Sequence, residues 1–134
     1  MKIPKGAMVA VADGEALNLF RNDGEESDPK LIAMPDTEVS SENTGSGSRH
    51  HNSSANPSGN QLAEDNFAAG IAEVLNQRAL DGKMDSLIVV AAPRTLGELR
   101  KHYHKALSAI LVGEISKDLT GHTIADVQNA ISAA

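Results

Sequence analysis

The sequence contains no cysteine and no tryptophan, and its only aromatic side chains are Phe20, Phe67 and Tyr103. The missing thiols exclude disulfide staples and thiolate metal sites. Scarce aromatics argue against the nucleic-acid-binding modules that stack bases on aromatic platforms. Positive charge is also in short supply. Twelve Lys and Arg face eighteen Asp and Glu, a net charge of -6, so the surface as a whole repels phosphate backbones and any nucleic-acid contact must be local. No apolar run approaches the roughly 20 residues of a membrane span. The run from Ala7 to Ala12 ends at Asp13, short of the roughly 7–15 residues of a signal-peptide core. The expectation is a cytoplasmic protein with no membrane insertion.

What remains is 134 residues, about one domain in length, with 40% hydrophobic side chains drawn almost wholly from Val, Ile, Leu, Ala and Met. AMVAVA (7–12), the turn Asp13-Gly14 and ALNLFRN (16–22) read as a hairpin. KLIAMPDTEV (30–39) reads as a third strand, and Pro35 inside it demands an edge position. Residues 40–60, SSENTGSGSRHHNSSANPSGN, are too polar to offset the entropy of ordering, so a flexible loop is expected there. Its His50-His51 pair reads as solvated imidazole rather than a metal site. QLAEDNFAAGIAEVLNQRALDG (61–82) places Phe67, Ile71, Val74 and Leu75 on one helical face and stops at Gly82.

SLIVVAAP (86–93) is apolar without alternation, as a strand buried on both faces reads. AILVGEIS (109–116) is a further strand, and TIADVQNAISAA (123–134) is a terminal helix begun by Thr123. The order β-β-β-α-β-α-β-α and the right-handed crossover rule predict a single α/β domain. Its mixed five-stranded sheet has order 3-2-1-4-5, with strand 2 antiparallel and helices on both faces.

The scarce positive charge is gathered in VVAAPRTLGELRKHYHK (89–105). Between residues 94 and 105, Arg94, Arg100, Lys101 and Lys105 stand against Glu98 alone, a net +3 before the histidines. Thr95 and Glu98 have the spacing of a capping box. That spacing predicts a helix from Thr95 with Leu96, Leu99 and Tyr103 inward and Arg100, Lys101 and His104 outward. Arg94 then lies at the carboxyl end of the fourth strand, where open α/β sheets bind ligands. The helix start would reinforce an anion site. A well-capped helix with a solvated basic face accounts for the same residues. Farther on, Asp118, Thr120 and His122 in KDLTGH follow the fifth strand and would meet Arg94 at the same sheet edge. A turn at Gly121 ahead of a cap at Thr123 explains them equally well.

APRTLGELRKHYHK, VGEISKDLTGHTIADVQNAI and the opening VADGEALNLFRN resemble the bacterial family of host attachment proteins. This family is in turn similar to the middle domain of archaeal and eukaryotic peptide-chain release factors. The resemblance implies a ribonuclease-H-like α/β fold. In release factors a Gly-Gly-Gln loop ahead of the long helix promotes peptidyl-tRNA hydrolysis. Here the corresponding residues read Ser58-Gly59-Asn60-Gln61, and Asn60 stands where a glycine is required.

A nuclease of the ribonuclease-H type needs several acids converging on divalent metal. Asp13 arrives only after the first strand, and Glu114 and Asp118 have no evident partners. No cofactor or metal is implied. The reading is a non-catalytic binding module that contacts RNA, the ribosome or a protein through Arg94, Thr95, Arg100, Lys101, His104 and Lys105. The alternative is a hydrolase of nucleotide or tRNA-linked esters, with Arg94 for the anion and Asp118 or His122 as acid or base.

Overall fold

A computed structural model describes residues 1–35, 37–40 and 59–134, with side chains on the last stretch from Gln61 onward. The expected loop at 40–60, with His50-His51, falls almost entirely outside the described residues. Five strands and four helices follow in the order β1 (Met8–Ala12), β2 (Leu17–Asn22), β3 (Leu31–Ala33), α1 (Gly59–Leu80), β4 (Leu87–Ala91), α2 (Pro93–Arg100), α3 (Lys105–Ile110), β5 (Leu111–Ser116) and α4 (Ile124–Ala133). They form one mixed sheet in the order β3-β2-β1-β4-β5. β2 runs antiparallel to both its neighbours, whereas β1, β4 and β5 are parallel. This is the topology expected from the sequence. Among the described residues no helix is long and apolar enough to cross a membrane.

β1 and β4 are buried along their whole length because helices cover both faces of the sheet. Side-chain alternation divides the core in two. Met8, Ala10, Ala12, Val89 and Ala91 join Ala68, Ile71, Ala72 and Leu75 of α1, Leu96 and Leu99 of α2, and Leu107 of α3. On the other face Val9, Val11, Phe20, Ile88, Val90 and Ile115 join Val127 and Ile131 of α4. Each fully buried Val, Leu or Ile contributes about 1.5–3 kcal/mol. Alanines on both the sheet and α1 let the helix lie close. Gly70 permits a second close approach: a Cβ there would sit 2.1 Å from the carbonyl oxygen of Ser40, where the chain crosses α1.

β3 is shorter than the strand expected over residues 30–39. It pairs at the edge from Leu31 to Ala33, and pairing stops just ahead of Pro35, which has no N–H to continue the ladder. The basic segment departs further from expectation. It forms two short helices rather than one, because the buried amide of Asn76 captures the turn between them. Asn76 Nδ2 donates to the His102 carbonyl at 2.8 Å, and the His104 N–H donates to Asn76 Oδ1 at 3.0 Å. α3 then takes residues that the sequence had assigned to the start of the fifth strand.

The capping box is absent as well. α2 begins at Pro93, whose fixed φ suits the first helical position, with Ala92 as an N-cap that offers no side chain. Thr95 therefore lies inside the first turn and is buried. Thr123 does cap α4, accepting from the Asp126 N–H at 3.1 Å.

A second buried amide, Asn22, fastens the amino-terminal segment and the β2–β3 connection. Its Nδ2 donates to the carbonyls of Ile3 (2.9 Å) and Pro4 (3.2 Å). Its Oδ1 accepts from the N–H groups of Gly24 and Lys30, both at 2.9 Å. Replacing it strands several buried backbone groups at once. Asn22→Ala is expected to lower the unfolding free energy by about 2–4 kcal/mol, measured by urea denaturation. A loss below about 1 kcal/mol would show that water replaces these bonds freely.

Candidate functional site

The parallel register brings three strand ends to one level: Ala12 pairs with Ala91, and Ala91 with Ser116. The residues that follow them, from Asp13, Ala92 and Lys117 onward, thus share the carboxyl edge of the sheet, the usual ligand side of an open α/β fold.

Asp13 is the best-anchored polar group there. Its Oδ1 accepts from the N–H groups of Glu15 (2.7 Å) and Ala16 (2.8 Å), which closes the β1–β2 turn. Its Oδ2 accepts from the Thr120 hydroxyl at 2.6 Å. Burial works against the charge on Asp13, but the bonds from Thr120, Glu15 and Ala16 outweigh it and hold the carboxyl below its usual value. Thr120 Oγ1 also lies 2.8 Å from Asp118 Oδ1. A hydroxyl has a single proton, so it donates to one of the two carboxylates at a time, and the shorter contact is to Asp13. His122, beyond the turn at Gly121 (φ +80°), is exposed and lies 3.6 Å from the Asp126 carboxylate.

Arg94 does not join this cluster by an ion pair. Being the second residue of α2, it projects toward α1, where Asp65 Oδ1 lies 3.9 Å away, and its side chain is 62% exposed. Among the described residues no ion pair links Arg94 to Asp118. The structure thus brings Asp13, Asp118 and Thr120 together and gives Arg94 a different partner. Asp13 was legible only as a turn residue, because nothing local signals that a threonine more than a hundred residues away will meet it.

The basic segment is held down by its own charges. Glu114 on β5 accepts from Arg100 Nε and lies 3.0 Å from its Nη2 through Oε1, and accepts from the Tyr103 hydroxyl at 3.0 Å through Oε2. Burial, and then the negative charge and hydrogen bond of Glu114, push the Tyr103 hydroxyl well above its ordinary pKa. Glu98 pairs with Lys101 (3.0 Å) and lies 3.4 Å from His102 Nε2. Its burial is outweighed by these two neighbours, so its pKa is lowered. Glu114, considered from the sequence only as a nuclease acid, is the anchor of the segment. With Asp65 and Glu114 counted alongside Glu98, the four cations retain a net +1. His104 and Lys105 are exposed at the start of α3, and among the described residues neither has an ion pair.

The depressed Asp13 carboxyl has a measurable consequence. Its ionised form contributes stability that is present above its usual value of 3.8 and is lost as pH falls through the lower folded value. Thr120→Val removes one donor and moves the folded value back toward 3.8. The expected result is a clear stability loss relative to the parent near about pH 6 that shrinks near about pH 2, read by urea denaturation. A loss independent of pH would show that the hydroxyl packs there without holding the charge.

Among the described residues no group of three or more His, Asp or Glu is placed to hold a metal ion. No curated protein matches the sequence. Residues 6–131, nearly the whole chain, match Bacterial archaeo-eukaryotic release factor family 12. With the mixed sheet and its helical layers in agreement, the chain belongs to the bacterial archaeo-eukaryotic release factor family.

Proposed function

We propose that this protein is a non-catalytic binding module that contacts RNA of the translation machinery through the segment from Arg94 to Lys105. The observation that carries the reading is the presentation of Arg94, Arg100, Lys101, His104 and Lys105 as exposed side chains on α2, α3 and the turn between them, in an otherwise acidic chain. Thr95 drops out of that surface because it is buried. The existing ion pairs do not disqualify the rest. The carboxylates Glu98 and Glu114 are largely covered, but the side chains of Arg94, Arg100 and Lys101 are 62%, 56% and 68% exposed, so a phosphate can approach each cation from its open side. Membership of a release-factor-like family supports a ribosomal setting, and a cytoplasmic location goes with it.

The resemblance to host attachment proteins names a phenotype, and on this reading the effect on attachment is indirect. The ester-hydrolase alternative gains no support, since Arg94 and Asp118 have separate partners.

The test must spare the Arg100–Glu114 contact, whose reversal would disturb the fold. Arg94→Glu combined with Lys105→Glu removes one cation that is weakly paired and one that has no ion pair among the described residues. In filter binding to ribosomal RNA the double variant is expected to bind about tenfold more weakly, and its salt dependence should flatten by about two phosphate contacts. Its melting temperature should stay within about 2 °C of the parent. Unchanged affinity would remove the segment from the interface. Partner capture that survives ribonuclease would replace RNA with an acidic protein.

A further inference from the structure

A second feature lies at the opposite end of the sheet from Asp13, where β1 and β4 begin and β2 ends. A cleft of about 320 Å³ opens there, with Met8 and Met84 among the residues that line it. Topology brings its walls together from three distant parts of the chain. The antiparallel pairing sets Arg21 opposite Met8, and the parallel pairing sets Leu87 beside Met8. The turn that precedes β4 is thereby drawn alongside. Gly6 (φ +79°) and Gly82 (φ +71°) supply left-handed bends on two sides, a conformation that other residues rarely adopt.

The result is that Lys5, Arg21 and Lys83 converge on one cleft in a chain of net charge -6. Their present partners hold them loosely. Arg21 lies 3.5 Å from Asp23, with both side chains about half exposed. Lys5 meets Glu25 at 3.1 Å, with both about two-thirds exposed. Exposed pairs of this kind contribute little and exchange readily for a stronger anion. Lys83 has no ion pair among the described residues. Asn22, in the wall, is already satisfied by backbone groups and contributes shape rather than a free amide.

Two carboxylates, Asp23 and Asp85, also border the cleft. They disfavour a bare anion and favour a ligand that carries donors as well. Its volume lies at the lower end of the roughly 300–1,000 Å³ typical of small-molecule sites. That size suits a mononucleotide-sized compound. The cations suit a dianionic head, and the carboxylates suit donors on the body of such a compound.

We propose that this cleft binds a small phosphomonoester with hydroxyl or amine donors on its body, the phosphate held by Lys5, Arg21 and Lys83 and the donors by Asp23 or Asp85. Adenosine monophosphate is a suitable probe, with adenosine and inorganic phosphate as its two halves. The site is separate from the basic segment, so either reading stands or falls without the other.

Amide chemical shifts of the isotope-labelled full chain report the result directly. Adenosine monophosphate is expected to shift Gly6, Gly82 and Lys83 saturably, with a midpoint below about 5 mM. Adenosine alone should leave them in place. Lys83→Gln and Arg21→Gln, both at exposed positions, should each weaken binding about fivefold while the spectrum stays dispersed. Lys105→Glu should change nothing. No shift at these amides up to about 20 mM overturns the proposal, as does a midpoint indifferent to both substitutions. Binding of adenosine monophosphate no tighter than that of inorganic phosphate would overturn the assigned ligand class.

Discussion

The parallel pairing of β1 with β4 is the constraint on which the rest of the molecule depends. Both strands are enclosed by side chains above and below, so their backbone N–H and C=O groups have no water to turn to. Only the ladder satisfies them, and a slip of one residue would send each side chain to the opposite face. Once Met8 stands beside Leu87, both ends of the sheet are determined. At one end Asp13 and the start of α2 become neighbours. At the other, the turn before β4 meets the end of β2.

Around this apolar centre, polar side chains act mainly as fasteners. Asn22 gathers the amino-terminal segment and the β2–β3 connection, Asn76 gathers the turn between α2 and α3, and Glu114 ties that turn to the edge strand. The two amides sit where connecting backbone would otherwise lack a partner, whereas Glu114 works through the side chains of Arg100 and Tyr103. In the absence of disulfides, such side-chain-to-backbone bonds give loops a defined path. Asp65, Glu98 and Glu114 engage much of the positive segment internally, and among the described residues His104 and Lys105 have no ion pair.

The sheet was legible because its determinants are local and strong: an uninterrupted apolar run at 87–91, alternation of Leu17 and Leu19 against Asn18, and a proline that confines one strand to an edge. The terminal helix and its Thr123 cap were legible for the same reason. Other features depend on partners distant in sequence. The Thr95–Glu98 spacing suggests a cap at Thr95, but Pro93 starts the helix one residue beyond the end of β4 and Ala92 becomes the N-cap, three residues earlier. Continuous helical periodicity through Tyr103 is overridden by an amide on α1. Asp13 and Thr120 are individually unremarkable turn residues, and the contact between them arises only because the strand ends are level. Arg94 reached the expected sheet edge, yet the angle of α2 directs it to Asp65 rather than to the residues after β5.

Tyr103 gives this arrangement an optical signature. The chain has one tyrosine and no tryptophan, so its ultraviolet emission arises from a single phenol with no competing energy acceptor. That phenol is hydrogen-bonded to the carboxylate that also holds Arg100. A neighbouring carboxylate quenches phenol fluorescence, so brightness tracks the closure of this one latch. The protein therefore carries a built-in reporter of whether the basic segment is docked on the edge strand or released from it, without any added label.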